Sequence, residues 1–202
     1  MPRSAKNFAN SERLRTRKVR SIVSAVDDQE LRSALREHAY LEGDFVLRSG
    51  RRSRYYLDKY RFETRPDLLR ALGERLAAQV REHASEALRI AGPELGAVAL
   101  AAAASLASGL PFLIVRKDAK DYGTANRLEG AFEPGDHVCL VEDVVTSGGA
   151  AVSAVQALRE AGLTCSTAIC VVDREEGGAD ELARHAVRLR SLFTASDVLS
   201  ST

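Results

Sequence analysis

A chain of 202 residues lies within the range of one domain and is long enough to bury a sizeable single core. At 45% apolar and 28% charged residues with five prolines, its composition is that of an ordinary globular protein and excludes fibrous and disordered classes; no apolar run approaches the roughly 20 residues of a membrane-spanning helix. The formal net charge of +1 hides an asymmetry, because residues 1–20 hold seven Lys or Arg against the single acid Glu12, leaving 22 basic and 27 acidic residues in the rest.

That arm, residues 1–20, has no aromatic interleaving and no regular apolar face. It therefore reads as a solvated, partly disordered extension ahead of one domain at 21–202, in preference to a nucleic-acid contact or an Arg-rich transit segment. Asp27 and Asp28 then stand before a helix over Asp28–Ala39, where Leu31, Ala34 and Leu35 recur at helical spacing. Phe45–Leu57 reads as a hairpin turning at Ser49-Gly50, with Arg48, Arg51, Arg52 and Arg54 around the turn. Thr64 and Asp67 flank Pro66 as in a capping box, and Leu68, Leu69, Leu72, Leu76 and Val80 form the apolar stripe of a helix reaching about Glu82.

Beyond that point short apolar runs alternate with helical patterns, which is the signature of βα units. Leu88–Ala91 predicts a strand broken by Gly92-Pro93, Ala97–Ser108 a small-residue helix ended by Gly109, and Phe112–Val115 a buried strand. Lys117–Gly130 is polar without an apolar period and predicts a long loop. His137–Glu142 predicts a strand, Ala150–Ala161 a helix stopped by Gly162, and Cys165–Val172 a further strand. The expected fold is α/β: a mostly parallel central sheet flanked by helices, with a small N-terminal hood made of the hairpin and first helices. Cys139, Cys165 and Cys170 fall in apolar runs without metal or redox spacing, so they read as buried, reduced thiols. With no secretory signal in the sequence, the expected location is the cytoplasm.

The most informative segment is Val138–Ala150, an apolar strand followed by Glu142-Asp143, two valines, Thr146-Ser147-Gly148-Gly149 and a helix. Ligands of open α/β sheets sit at such carboxyl ends of strands. The backbone N–H groups around Gly148 and Gly149, the Thr146 and Ser147 hydroxyls and the positive end of the helix can converge on one phosphate. Glu142 and Asp143 are placed to accept hydrogen bonds from neighbouring sugar hydroxyls. Each residue alone is better explained as part of a capped helix after a strand with its acids solvated; the whole run instead describes a ribose 5-phosphate site. Neither GxxxxGK[ST] nor GxGxxG is present.

Val141–Ala150 resembles the signature by which type I phosphoribosyltransferases bind phosphoribosyl pyrophosphate (PRPP). Arg116-Lys117-Asp118-Ala119-Lys120-Asp121-Tyr122-Gly123 resembles the catalytic loop of the orotate phosphoribosyltransferases, as do Phe45–Gly50 before it and Asp173–Glu176 after it. The resemblance runs from about Leu41 to Val198 and implies a type I phosphoribosyltransferase fold. It implies Mg²⁺-dependent transfer of the 5-phosphoribosyl group from PRPP to orotate, giving orotidine 5'-monophosphate and pyrophosphate in pyrimidine biosynthesis.

By that resemblance Lys117, Lys120 and Asp143 are the catalytic residues. Arg116, Lys117, Lys120, Tyr122, Glu142, Asp143, Val144, Val145, Thr146, Ser147, Gly148, Gly149 and Ala150 bind PRPP. Arg48, Thr146 and Arg174 bind orotate, whose carboxylate suits the planar fork of an arginine. Mg²⁺ is expected to be held mainly by PRPP, without direct protein ligands, and the family's homodimer shares its loop between subunits. Gly92–Gly96 matches the pyrophosphate-side turn. Three positions depart from commoner family residues: Arg48 replaces lysine, Tyr122 replaces histidine, and Gly96 stands where longer bacterial members carry lysine. Two rival readings remain at this level, a phosphoribosyltransferase for a purine or uracil, and a PRPP-sensing regulator without catalysis.

Overall fold

The computed structural model describes residues 27–46, 50, 52–118 and 127–200. The basic arm, Arg48, Ser49, Lys120 and Tyr122 lie outside the described residues.

Helix α1 (Asp28–Ala39) begins as its sequence demands: Asp27 accepts a hydrogen bond from the Glu30 amide at 2.7 Å, and the Glu30 carboxylate accepts one from the Asp27 amide. Leu31, Leu35 and Ala39, one per turn, are buried. Strands β1 (Tyr40–Val46) and β2 (Arg52–Leu57) form the expected antiparallel hairpin, but β1 starts five residues earlier than the apolar run suggested, with Tyr40 opposite Leu57. Tyr40 stacks on Tyr55 across the pair, 5.8 Å between centroids, which explains how a stretch holding Glu42, Gly43 and Asp44 still pairs.

A short helix α2 (Tyr60–Glu63), not expected from the sequence, follows and buries Phe62. In α3 (Pro66–His83) Pro66 occupies the first turn, but the predicted capping box does not form. Thr64 Oγ1 instead donates to the Tyr60 carbonyl at 2.6 Å, because Thr64 closes α2 and the N-cap of α3 falls one residue later, on Arg65.

The remaining chain runs β3 (Arg89–Pro93), α4 (Gly96–Ser108), β4 (Phe112–Val115), β5 (Leu128–Glu129), β6 (His137–Val145), α5 (Gly149–Glu160), β7 (Thr164–Asp173), α6 (Gly178–Arg184), β8 (Arg188–Thr194) and α7 (Ala195–Ser200). The sheet order is β5-β4-β3-β6-β7-β8, parallel throughout except for β5, which pairs antiparallel with β4. The stretch read as one long loop is therefore gathered at its exit: Leu128 and Glu129 return beside Val115 and Ile114. Glu142 and Asp143 belong to β6, which extends three residues past its predicted end.

Helices cover both faces of the sheet. One core joins α1, α3 and α4 to the sheet through Leu31, Leu72, Leu100 and Ile169, and a second joins α5 and α6 through Val155, Leu158 and Leu182. Cys139, Cys165 and Cys170 are buried and unpaired, as expected, and burial pushes each thiol above its ordinary range. No helix among the described residues is long and apolar enough to cross a membrane.

Candidate functional site

The strand order reverses between β3 and β6: the chain builds outward from β3 to β4 on one side and from β6 to β8 on the other. Crevices form at the carboxyl ends of strands flanking such a reversal. Here a cleft of about 680 Å³ opens at that place, and the ends of four adjacent strands line it. Arg116 and Lys117 follow β4, Glu94 and Gly96 follow β3, Glu142–Ala150 end β6 and begin α5, and Arg174 follows β7. Twelve of the residues expected from sequence thus meet in one cavity: Arg116, Lys117, Glu142, Asp143, Val144, Val145, Thr146, Ser147, Gly148, Gly149, Ala150 and Arg174. Lys59, Arg127 and Ser153 join them without having been expected.

The turn into α5 is built to leave amides open. Gly148 takes φ 83°, a left-handed conformation that L side chains rarely adopt, and makes no side-chain cap for the helix. A Cβ there would also lie 2.9 Å from the Gly178 carbonyl, so the turn rests on the start of α6. Thr146, Ser147, Gly149 and Ala150 are exposed, and the first turn of α5 carries no acid. The first amides of the helix and two hydroxyls thereby form an uncapped anion cradle.

The acids beside it are not solvated. Asp143 is 3% and Glu142 7% exposed. Asp143 Oδ2 accepts from Lys59 Nζ at 2.6 Å, while Oδ1 accepts from the Val144 amide. Burial first, then the Asp143 carboxylate, holds the Glu142 carboxyl well above the ordinary carboxylate range. Glu63, 4% exposed on α2, is pushed up to about 8 by burial and by Asp143. Burial opposes the charge of Lys59, but attraction and hydrogen bonding from Asp143 outweigh it and raise that ammonium above its ordinary 10.5. One ammonium thus stands among three carboxyl groups, two of which favour the neutral form.

On the β4 side, the Lys117 amide donates to Glu94 Oε1 at 2.6 Å and the Glu94 amide to the Val115 carbonyl at 2.8 Å, tying the start of the loop to the β3–α4 turn. The Arg116 amide donates to the Arg127 carbonyl at 2.7 Å, so the two ends of the loop leave the body side by side. Arg127 also reaches Ser153 Oγ at 3.1 Å. The sequence offered no way to find Arg127, an isolated arginine inside a polar stretch, or Lys59, one charge in the run between the hairpin and α2.

At the other end, Arg174 is 7% exposed. Its Nε lies 3.1 Å from Glu176 Oε1 and its guanidinium sits 4.9 Å over the Tyr55 ring from the hood. The contact with Glu176 occurs inside the cleft and holds the guanidinium there. Among the described residues no group of three or more His, Cys, Asp or Glu is arranged to hold a metal ion.

A family model described as the phosphoribosyl transferase domain matches residues 65–193. The chain is 48% identical over 180 residues to the orotate phosphoribosyltransferase of Halobacterium salinarum, covering 89% of this chain and 99% of that one. Among solved structures, the orotate phosphoribosyltransferase of Aeropyrum pernix is 34% identical with a TM-score of 0.75, covering 84% of this chain and 96% of that one. The Mycobacterium tuberculosis orotate phosphoribosyltransferase in complex with PRPP is 28% identical with a TM-score of 0.72, covering 85% and 98%.

Proposed function

The chain belongs to the orotate phosphoribosyltransferases of the phosphoribosyl transferase family, and we propose that the cleft between β3 and β6 is where the 5-phosphoribosyl group passes from PRPP to orotate. The reaction yields orotidine 5'-monophosphate and pyrophosphate, a step of pyrimidine biosynthesis. One observation carries the assignment of the site: the uncapped start of α5 and the buried acid pair Glu142-Asp143 adjoin at the point where the strand order reverses. A phosphate cradle next to diol acceptors is the recognition a ribose 5-phosphate requires.

In this reading the amides and hydroxyls of Thr146–Ala150 hold the 5-phosphate, and Asp143 and Glu142 take the ribose hydroxyls. Leaving of pyrophosphate gives the sugar oxocarbenium character while negative charge builds on the departing oxygens, so fixed cations and exclusion of water lower the barrier. Arg116 and Lys117 at the root of the loop, and Lys120 and Tyr122 farther along it, serve the pyrophosphate. Arg174 pairs with the orotate carboxylate, assisted by Thr146 and Arg48. The Tyr55 ring beneath the guanidinium supports this, because it fixes the orientation that a bidentate carboxylate contact needs.

The oxygen-only donors of the cleft floor, Glu142 and Asp143, suit a hard cation that keeps its water, and Mg²⁺ arriving with PRPP would supply charge neutralisation on the pyrophosphate. We further propose a homodimer in which the loop reaches the neighbouring subunit's cleft. Leu95 and Leu106, 72% and 89% exposed at the start and near the end of α4, support a covered face. Three reduced thiols favour the cytoplasm as the location. The test is PRPP-dependent consumption of orotate, with adenine, xanthine and uracil as comparators. Selective loss of orotate supports the reading, and preference for another base overturns it.

A further inference from the structure

Lys59 belongs to the hood, 84 residues before Asp143 in sequence, yet its Nζ lies 2.6 Å from Asp143 Oδ2 inside the cleft. Its side chain is 31% exposed against 5% for Asp143, so the ammonium reaches the cleft while its partner is sealed. The space it occupies lies directly over the β3–α4 turn: a Cβ built on Gly96 would come within 2.6 Å of Lys59 Nζ. Glu94 of that same turn accepts from the Lys117 amide, which ties it to the root of the loop.

Asp143 has one oxygen on Lys59 and the other on the Val144 amide. Both side chains line the cleft, Lys59 the more exposed of the two, so a sugar hydroxyl approaching Oδ2 from the cleft meets the ammonium there. A lysine displaced from a carboxylate needs another anion, and the nearest anion of such a ligand is the group on its anomeric carbon, over the turn where Lys59 already stands. Lysine suits this handover because its compact charge rides on a flexible stem.

We propose that Lys59 is a pyrophosphate-binding residue carried by the hood, which pairs with Asp143 and transfers its charge to the pyrophosphate group when ribose hydroxyls occupy Asp143. The proposal rests on the ribose site assigned above. It also gives the hood a part in binding the sugar donor, in addition to its contact with Arg174.

The test separates the two halves of the ligand. Inorganic pyrophosphate and ribose 5-phosphate are titrated separately, with Mg²⁺ present, into the full-length wild-type protein and into Lys59→Met and Lys59→Arg, by calorimetry. Lys59→Met should weaken pyrophosphate binding about tenfold or more, the scale of one charged hydrogen bond, while ribose 5-phosphate binds as well as or better than in the wild type. Lys59→Arg, which keeps the charge, should recover most of the pyrophosphate affinity. A merely structural lysine would weaken both ligands together or neither. Unchanged pyrophosphate affinity in a folded Lys59→Met protein, or equal loss of both ligands, overturns the proposal. Should the Met variant fail to fold, Lys59→Gln, which still donates to Asp143 but carries no charge, is read by the same criteria. Failure of the wild type itself to bind ribose 5-phosphate overturns the site assignment and the role of Lys59 with it.

Discussion

Gly96 and Asp143 stand so close that a Cβ on the glycine would lie 1.9 Å from Asp143 Oδ2. The first residue of α4 thus leaves room for an acid on β6 and for the lysine that binds it. Gly96→Ala should push Asp143 and Lys59 apart, since both are side-chain ends that can move while the sheet cannot. PRPP affinity is expected to fall about tenfold or more with the far-ultraviolet circular dichroism spectrum unchanged. Calorimetry on the variant checks this, and wild-type affinity would contradict it.

Arg174 stands at the opposite end of the cleft from the loop root, held by Glu176 and Tyr55. Arg174→Ala should raise the KM for orotate strongly while leaving PRPP binding intact, a loss of roughly 2–5 kcal/mol for a buried charged pair. Steady-state kinetics with each substrate varied in turn distinguish this from general damage, which would raise both constants.

Glu63 gives the folded protein a pH signature. Burial and Asp143 push its carboxyl up to about 8, against an ordinary value of 4.5. Above the ordinary value the unfolded chain has released this proton while the folded protein keeps it, so stability falls with rising pH through that interval and levels off above the folded value. Glu63→Gln cannot release the proton. Its stability relative to wild type should therefore increase between about pH 5 and pH 8 and stay constant beyond. Urea midpoints across that range measure it, and a difference independent of pH would contradict it.

Sharing of the loop between subunits predicts complementation. Lys120→Ala and Asp143→Asn should each nearly abolish turnover, the first by roughly 10²–10³-fold if it acts as one donor of a preorganised anion site. After exchange of equal amounts about half the dimers are hybrid, and one site of each hybrid carries both lesions while the other carries neither. About a quarter of all sites should then be intact, and activity should reappear. If native mass spectrometry confirms hybrids and activity stays at the single-mutant level, each loop serves its own subunit.

Much of this arrangement was legible in the sequence because it is local. The run from Val138 to Ala150 states strand, acids, glycine turn and helix in one stretch, and the structure builds them in that order. What escaped depends on contacts between distant segments. Lys59 meets Asp143 only because α2 is folded against α4, and α2 itself is four residues whose helical state is set by burying Phe62. The Thr64 capping box failed for a related reason, since the α2 carbonyl of Tyr60 competes for the hydroxyl. Asp143 read as the edge of a loop and is a sealed strand residue, because pairing of Val144 and Val145 with β7 carries β6 beyond its apolar run.

In the proposed site PRPP lies across the reversal point of the sheet, with its 5-phosphate on the start of α5 and its ribose on Asp143. A crystal structure with PRPP and Mg²⁺ tests it most directly. The expected result is phosphate density within hydrogen-bonding distance of the Thr146–Ala150 amides, ribose hydroxyls on Asp143, and Lys59 Nζ moved from Asp143 Oδ2 to a pyrophosphate oxygen. Phosphate density away from the α5 turn, or a ribose that makes no contact with Asp143, would contradict it.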